Sequence, residues 1–161
     1  MDANFLADFR QTVDRAAGQL LALSGEQAAT RPAPGKWSRK EIIGHLIDSA
    51  SNNHGRFVRA QLQDDLVFPG YDQDAWVTVQ RYQDRQWEEL VRLWQALNLH
   101  IAAVMEAAEQ HQATRPRARH NLDELAWRTV SPMQSTTLEY FMRDYVDHLN
   151  HHLGQALDSE R

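Results

Sequence analysis

The sequence predicts an all-α protein, a four-helix bundle with a long crossover before its last helix. Three observations lead there. Apolar residues recur at spacings of three and four in four long stretches. A Ser or Thr with a Glu three residues later, the signature of a capping box, opens two of them. No stretch carries a convincing strand pattern.

The first helix covers about residues 3 to 23, with Phe5, Phe9, Val13, Ala16 and Leu20 on one face. "RPAPGKW" then breaks the chain. Ser38 and Glu41 start a second helix, which runs to about residue 63 with Ile42, Leu46, Ala50 and Phe57 inward. "DDLVFPGYDQDAW" is an aromatic-rich loop. A third helix occupies about 84 to 110, with Trp87, Leu90, Trp94, Leu97, Ile101 and Met105 on its core side; both tryptophans read as packing. The connection 111–132 has two prolines and no long period, so it reads as the crossover, with a helical turn at Asn121 to Trp127. Thr136 and Glu139 form the second capping-box signature, and the last helix continues to about residue 158.

A length of 161 residues suits one domain, 1–161, large enough to bury a core without staples. The formal net charge of -5 and the lack of a basic run point away from nucleic acid. Arg115, Arg117 and Arg119 form a cluster too short to line a groove. There is no cysteine, which excludes disulfides, thiolate metal sites and a protein thiol nucleophile. The start "MDANFLADFR" is no signal peptide, and no apolar run reaches membrane-spanning length. The expectation is a cytoplasmic protein without a membrane partner.

"DHLNHHLGQ" places three of the eight histidines within five positions. Successive helical residues turn by about 100°. Leu138, Met142, Leu149, Leu153 and Ala156 define the apolar side of the last helix. His152 falls within that arc, His148 at its edge one turn earlier, and His151 points to solvent. His148 and His152 can therefore converge on one point. On the second helix His45 borders the face of Ile42, Leu46 and Ser49, and a bundle could bring it opposite that pair. A lone helix-edge histidine is more often a hydrogen-bonded boundary residue. Three imidazoles around an open fourth position are instead the ligand set of a catalytic divalent metal, zinc or nickel foremost. Asp144 and Asp147, four residues before His148 and His151, read as either supporting acceptors or solvated helix charge, the latter favoured for Asp147. A di-iron site is excluded because no Glu has a His three residues later, and His-Glu-x-x-His is absent.

Four stretches resemble the DinB-like superfamily, and within it the YfiT-like metal-dependent hydrolases and thiol transferases. "GKWSRKEIIGHLIDSASNNHGRF" is similar to the family's opening of helix two, "PGYDQDAW" to its Pro-Tyr-Asp…Trp connector, "TTLEYF" to the start of its final helix, and "HLNHH" to its His-x-x-His-His segment. The likeness runs from about Trp37 to Gln155; the connection 109–132 is not among the matching stretches. Carried over by position, the family's ligands fall on His45, His148 and His152. The resemblance implies a four-helix bundle with a long crossover, often a homodimer. Its bacillithiol S-transferases and mycothiol-dependent maleylpyruvate isomerase imply a metal that activates a low-molecular-weight thiol for transfer to an electrophilic small molecule. Metal-dependent hydrolysis, and a binding module with a non-catalytic metal, are the alternatives. The crossover, Arg117 included, is expected at the mouth of the site.

Overall fold

A computed structural model describes residues 2–158; Met1 and 159–161, the ends of the expected 1–161 span, lie outside the described residues. Four long helices form the bundle: α1 (Ala3–Leu21), α3 (Arg39–Ala60), α5 (Trp87–Ala107) and α8 (Leu138–Leu157). Four short ones lie between them: α2 (Gly25–Ala29), α4 (Gln73–Gln80), α6 (Gln110–Thr114) and α7 (Leu122–Leu125). In the bundle α5 packs on α1 and α3, and α8 closes the ring against α3 and α1. No strand occurs among the described residues, and no helix there is long and apolar enough to cross a membrane.

Three of the four long helices, α1, α3 and α8, start at a side chain that accepts from their first free amides. Ser38 Oγ accepts from Glu41 N at 3.2 Å, and Ser38 N donates to Glu41 Oε2 at 2.8 Å, so the expected box is present. Arg31 also donates to both Glu41 oxygens, which holds the preceding loop against α3. The last helix departs from expectation by one residue. Thr137, not Thr136, caps it, accepting from Tyr140 N at 3.0 Å. Thr136 is engaged elsewhere, exchanging backbone hydrogen bonds with Arg117 at 2.8 and 3.1 Å. Glu139 pairs with Arg143 one turn on.

Of the short helices, α7 falls within the turn expected at Asn121 to Trp127, whereas α2, α4 and α6 were not expected. A second Ser box, Ser24 with Gln27, opens α2, and Asp72 caps α4 by accepting from Ala75 N. Each is a single turn or two, too short for an apolar period to show. The third long helix begins at Trp87 rather than 84, because Tyr82–Asp84 is a separate 3₁₀ turn.

Trp87 and Trp94 are buried, as expected. Trp87 Nε1 donates to Leu20 O at 2.9 Å, satisfying a carbonyl in the last turn of α1 and fixing α5 beside it. In the core Phe57 meets Phe141 and Tyr145 edge-on, with centroids 5.6 and 5.7 Å apart. Tyr145 then donates to Asn98 Oδ1 at 2.6 Å, which sets the height of α8 against α5. At the far end of α8, Arg39 donates to Ala156 O at 2.8 Å and Asp158 O at 2.9 Å. A cation on terminal carbonyls suits the negative end of a helix.

The crossover is tied down at both edges. Leu66 N donates to Arg119 O, and Asn121 N to Leu66 O. Asn121 also caps the extended chain at Phe68, donating to its carbonyl and accepting from its amide. Both ring nitrogens of His120 are used: Nε2 bonds Gln134 O at 2.7 Å and Nδ1 accepts from Leu122 N at 3.2 Å. The basic cluster is absorbed locally, Arg115 against Asp64 and Arg119 against Asp65.

Gly44 lies one residue before His45, and a Cβ there would overlap the Tyr82 ring. The bare backbone lets Tyr82 approach α3 closely enough to donate to Asp48 Oδ1 at 2.7 Å. Gly44→Ala should lower stability by about 1–3 kcal/mol despite alanine's better helix propensity. Urea melts of the two proteins, with an unchanged m-value, check this.

Candidate metal centre

His45 comes from the second turn of α3, and His148 and His152 from successive turns of α8. One ring nitrogen from each lies within 4.8 Å of the other two. His45 Nε2 and His148 Nε2 are 3.3 Å apart. That is close to the edge of a tetrahedron with bonds of about 2.0–2.1 Å. His152 Nδ1 donates to Gln155 Oε1 at 2.9 Å, which leaves its Nε2 lone pair free. The donor set therefore has the spacing a divalent cation requires, and His152 is held in the tautomer that leaves Nε2 to ligate. His45 is fully buried, its Nδ1 has no partner, and its ring packs on Trp37 with centroids 5.2 Å apart.

His151 is exposed, as the helical wheel predicts. It accepts from Gln155 Nε2 at 3.1 Å, so one amide spans His151 and His152. The remaining histidines stay apart from the cluster: His54 and His100 face each other at 4.9 Å between centroids, His111 lies on α6, and His120 is fully bonded.

Burial dominates the electrostatics. It lowers the pKa of His45 to about 4 and that of His148 to about 3, with His152 adding repulsion in both cases. His152 is lowered too, again chiefly by burial, against the opposing bond to Gln155. All three rings are neutral at pH 7, the form in which imidazole ligates.

A cavity of about 360 Å³ opens beside the cluster, lined by His148 and His152 but also by Ser49, Asn53, Arg56, Tyr71 and Trp127. Burial raises the Tyr71 phenol to about 12, so it remains a donor at neutral pH. Glu124 to Trp127 form one wall. Asp144 holds that wall by accepting from Trp127 N at 2.9 Å and Arg128 N at 2.7 Å. It supports the loop, not a histidine. Asp147 is not merely solvated either, since it pairs with Arg128 at 2.8 Å.

Two expectations about the crossover need correction. Only its stretch around Glu124–Trp127 reaches the cavity; Arg117 does not line it. Arg117 is buried where it donates to Gln112 O, a position fixed by the backbone pairing with Thr136 that no local pattern reveals. Conversely, the α3 wall went unread. His45, Ser49, Asn53 and Arg56 recur at helical spacing and are all buried, a polar stripe beside the apolar one. Its spacing of four, four and three residues is the same helical period that the apolar face carries. Gln155, three residues after His152, left no signal that distinguishes it from a surface glutamine.

A family model for the DinB superfamily matches residues 8–156. The fold is similar to that of YfiT from Bacillus subtilis, described as a probable metal-dependent hydrolase with an unusual four-helix bundle topology. The TM-score is 0.72 at 19% identity, covering 97% of this chain and 86% of that one. At that identity the likeness concerns the fold. No curated protein matches the chain.

The lowered histidine pKa values have a consequence for the metal-free protein. Below pH about 6.5 unfolded histidine takes up a proton that folded His148 refuses until about pH 3. Its contribution to stability is therefore present above about pH 6.5 and is lost as pH falls toward 3. His148→Asn, which cannot charge, should show a flatter stability profile across that window. Chemical denaturation at several pH values with chelator present measures the difference.

Proposed function

We propose that this chain, which belongs to the DinB superfamily, is a metal-dependent enzyme acting on a small molecule, with His45, His148 and His152 as the ligands of a divalent ion, zinc or nickel. One observation carries the reading: three neutral imidazoles converge, with no fourth protein ligand among the described residues, beside a cavity of ligand size. A structural zinc is normally closed by a fourth side chain, whereas a catalytic one keeps a position open. Bound there, the ion supplies Lewis acidity, lowering the pKa of a water or thiol that reaches its open position.

The favoured reaction is transfer of a low-molecular-weight thiol to an electrophile. The chain has no cysteine, so a thiol nucleophile has to come from outside. Hydrolysis is the second reading, favoured by the description of the YfiT structure. Either way the protein's residues have the same tasks. Gln155 fixes the His152 tautomer, Trp37 holds the His45 ring, and Tyr71 offers a hydroxyl hydrogen to whatever fills the cavity.

Purified protein should hold about one zinc or nickel per chain. His45→Ala, His148→Ala and His152→Ala should each lose it, and His151→Ala should retain it. Gln155→Leu should weaken the metal by roughly 10–100-fold without abolishing it. Elemental analysis and competition with a chromogenic chelator read all five variants; equal loss from His151→Ala would remove this ligand assignment. For the chemistry, loaded protein is offered bacillithiol, mycothiol, glutathione and coenzyme A with a chromogenic electrophile. Thiol consumption above a metal-matched blank supports transfer, and cleavage of an ester or amide alone selects hydrolysis.

A further inference from the structure

We propose that Arg56 binds a carboxylate of the substrate, so that the cavity takes small molecules with one anionic end and a reactive group at the other. This rests on the reading of the cavity as an active site.

Arg56 is only 5% exposed, yet it lines the cavity. Its Nη2 donates to Pro69 O at 2.8 Å, and Nη1 lies 3.4 Å from Asn53 Oδ1. Both are neutral acceptors. No carboxylate of the described residues lies within 4.0 Å of its guanidinium. Asp144, which shares the lining, has both oxygens committed to the amides of Trp127 and Arg128. Glu124, the other acidic lining residue, forms no ion pair with it.

A buried cation without a counter-charge is costly, and burial does push the Arg56 pKa down. Holding these two neutral acceptors does not require a guanidinium, which has five N–H donors in a planar fork. The fork does match a carboxylate. Arg117, the other buried arginine among the described residues, lies off the cavity, so it is not placed to meet a ligand there. No lysine and no other arginine lines the cavity, so Arg56 is its one fixed cationic side chain.

Position gives the ligand its polarity. Arg56 stands eleven residues after His45 on α3, on the same face and about 16 Å further along the axis. The anionic end and the histidine cluster therefore engage different ends of one molecule, with Ser49 and Asn53 between them.

The test uses zinc-loaded full-length protein and a matched pair of probes, benzoate and benzamide, followed by nitrogen-15 NMR of the Trp127 indole and the Arg56 Nε–H. In the wild type benzoate should shift the Arg56 signal and benzamide should not. R56Q should weaken benzoate at least tenfold and change benzamide less than twofold; R56K should fall between. Any direct contact of benzoate with zinc is common to wild type and variant and cancels. An Arg56 signal indifferent to benzoate overturns the proposal, even if R56Q does not fold. So does R56Q binding benzoate within threefold of wild type, or losing both probes equally. Zinc content, measured on the same samples, separates the two ideas: zinc retained after His148→Ala would defeat the metal-site reading and leave the benzoate result standing.

Discussion

The grip of Arg39 on the last turn of α8 sets the register on which the histidine cluster depends. Its guanidinium holds Ala156 O and Asp158 O, so the first turn of α3 lies level with the end of the antiparallel α8. Six residues along α3 from Arg39 stands His45; six residues back along α8 from Ala156 is position 150, midway between His148 and His152. Opposite directions and equal rise per residue bring the one ring between the other two. Tyr145 on Asn98 and the Phe57 edge contacts hold the same alignment from the other side of the site. A slip by one residue would rotate each side chain by about 100° and scatter the cluster.

Burial then does the chemical work. Bringing three imidazoles this close would be prohibitive if they were charged, and removing them from water keeps them uncharged. The same helix that supplies His45 supplies the opposite kind of group at Arg56, a cation that cannot shed its proton at neutral pH. One face of α3 thus runs from a ring that has to be neutral to a group that has to be positive, within a single stripe of buried polar residues.

How much of this the sequence disclosed depends on range. Helical faces are local, and a 3.6-residue period put Trp94, Phe57 and Leu149 in the core and His151 outside it. The same wheel, with the family likeness, brought out the three clustered histidines. Pairings across the chain have no such period. The Arg117–Thr136 and Leu66–His120 bridges decide where the crossover runs, and they join residues 19 and 54 apart. Hence Arg117 was expected at the mouth and lies elsewhere. The cap of α8 was misread by one residue for a related reason: Thr136 and Thr137 have equal capping chemistry, and only the bridge to Arg117 decides which is free to cap. The stripe from Ser49 to Arg56 was legible but hidden by attention to apolar residues.

The support that Asp144 gives the cavity wall is blind to side chains. It holds the wall by the amide hydrogens of Trp127 and Arg128, which nearly every residue type possesses. Lineages can therefore exchange what residues 124–128 display to a ligand while inheriting the attachment unchanged. Selection for new substrates can act on that short segment without disturbing the histidines one turn further along α8. Proline at 127 or 128 is the replacement such drift cannot use, because it would break the attachment itself.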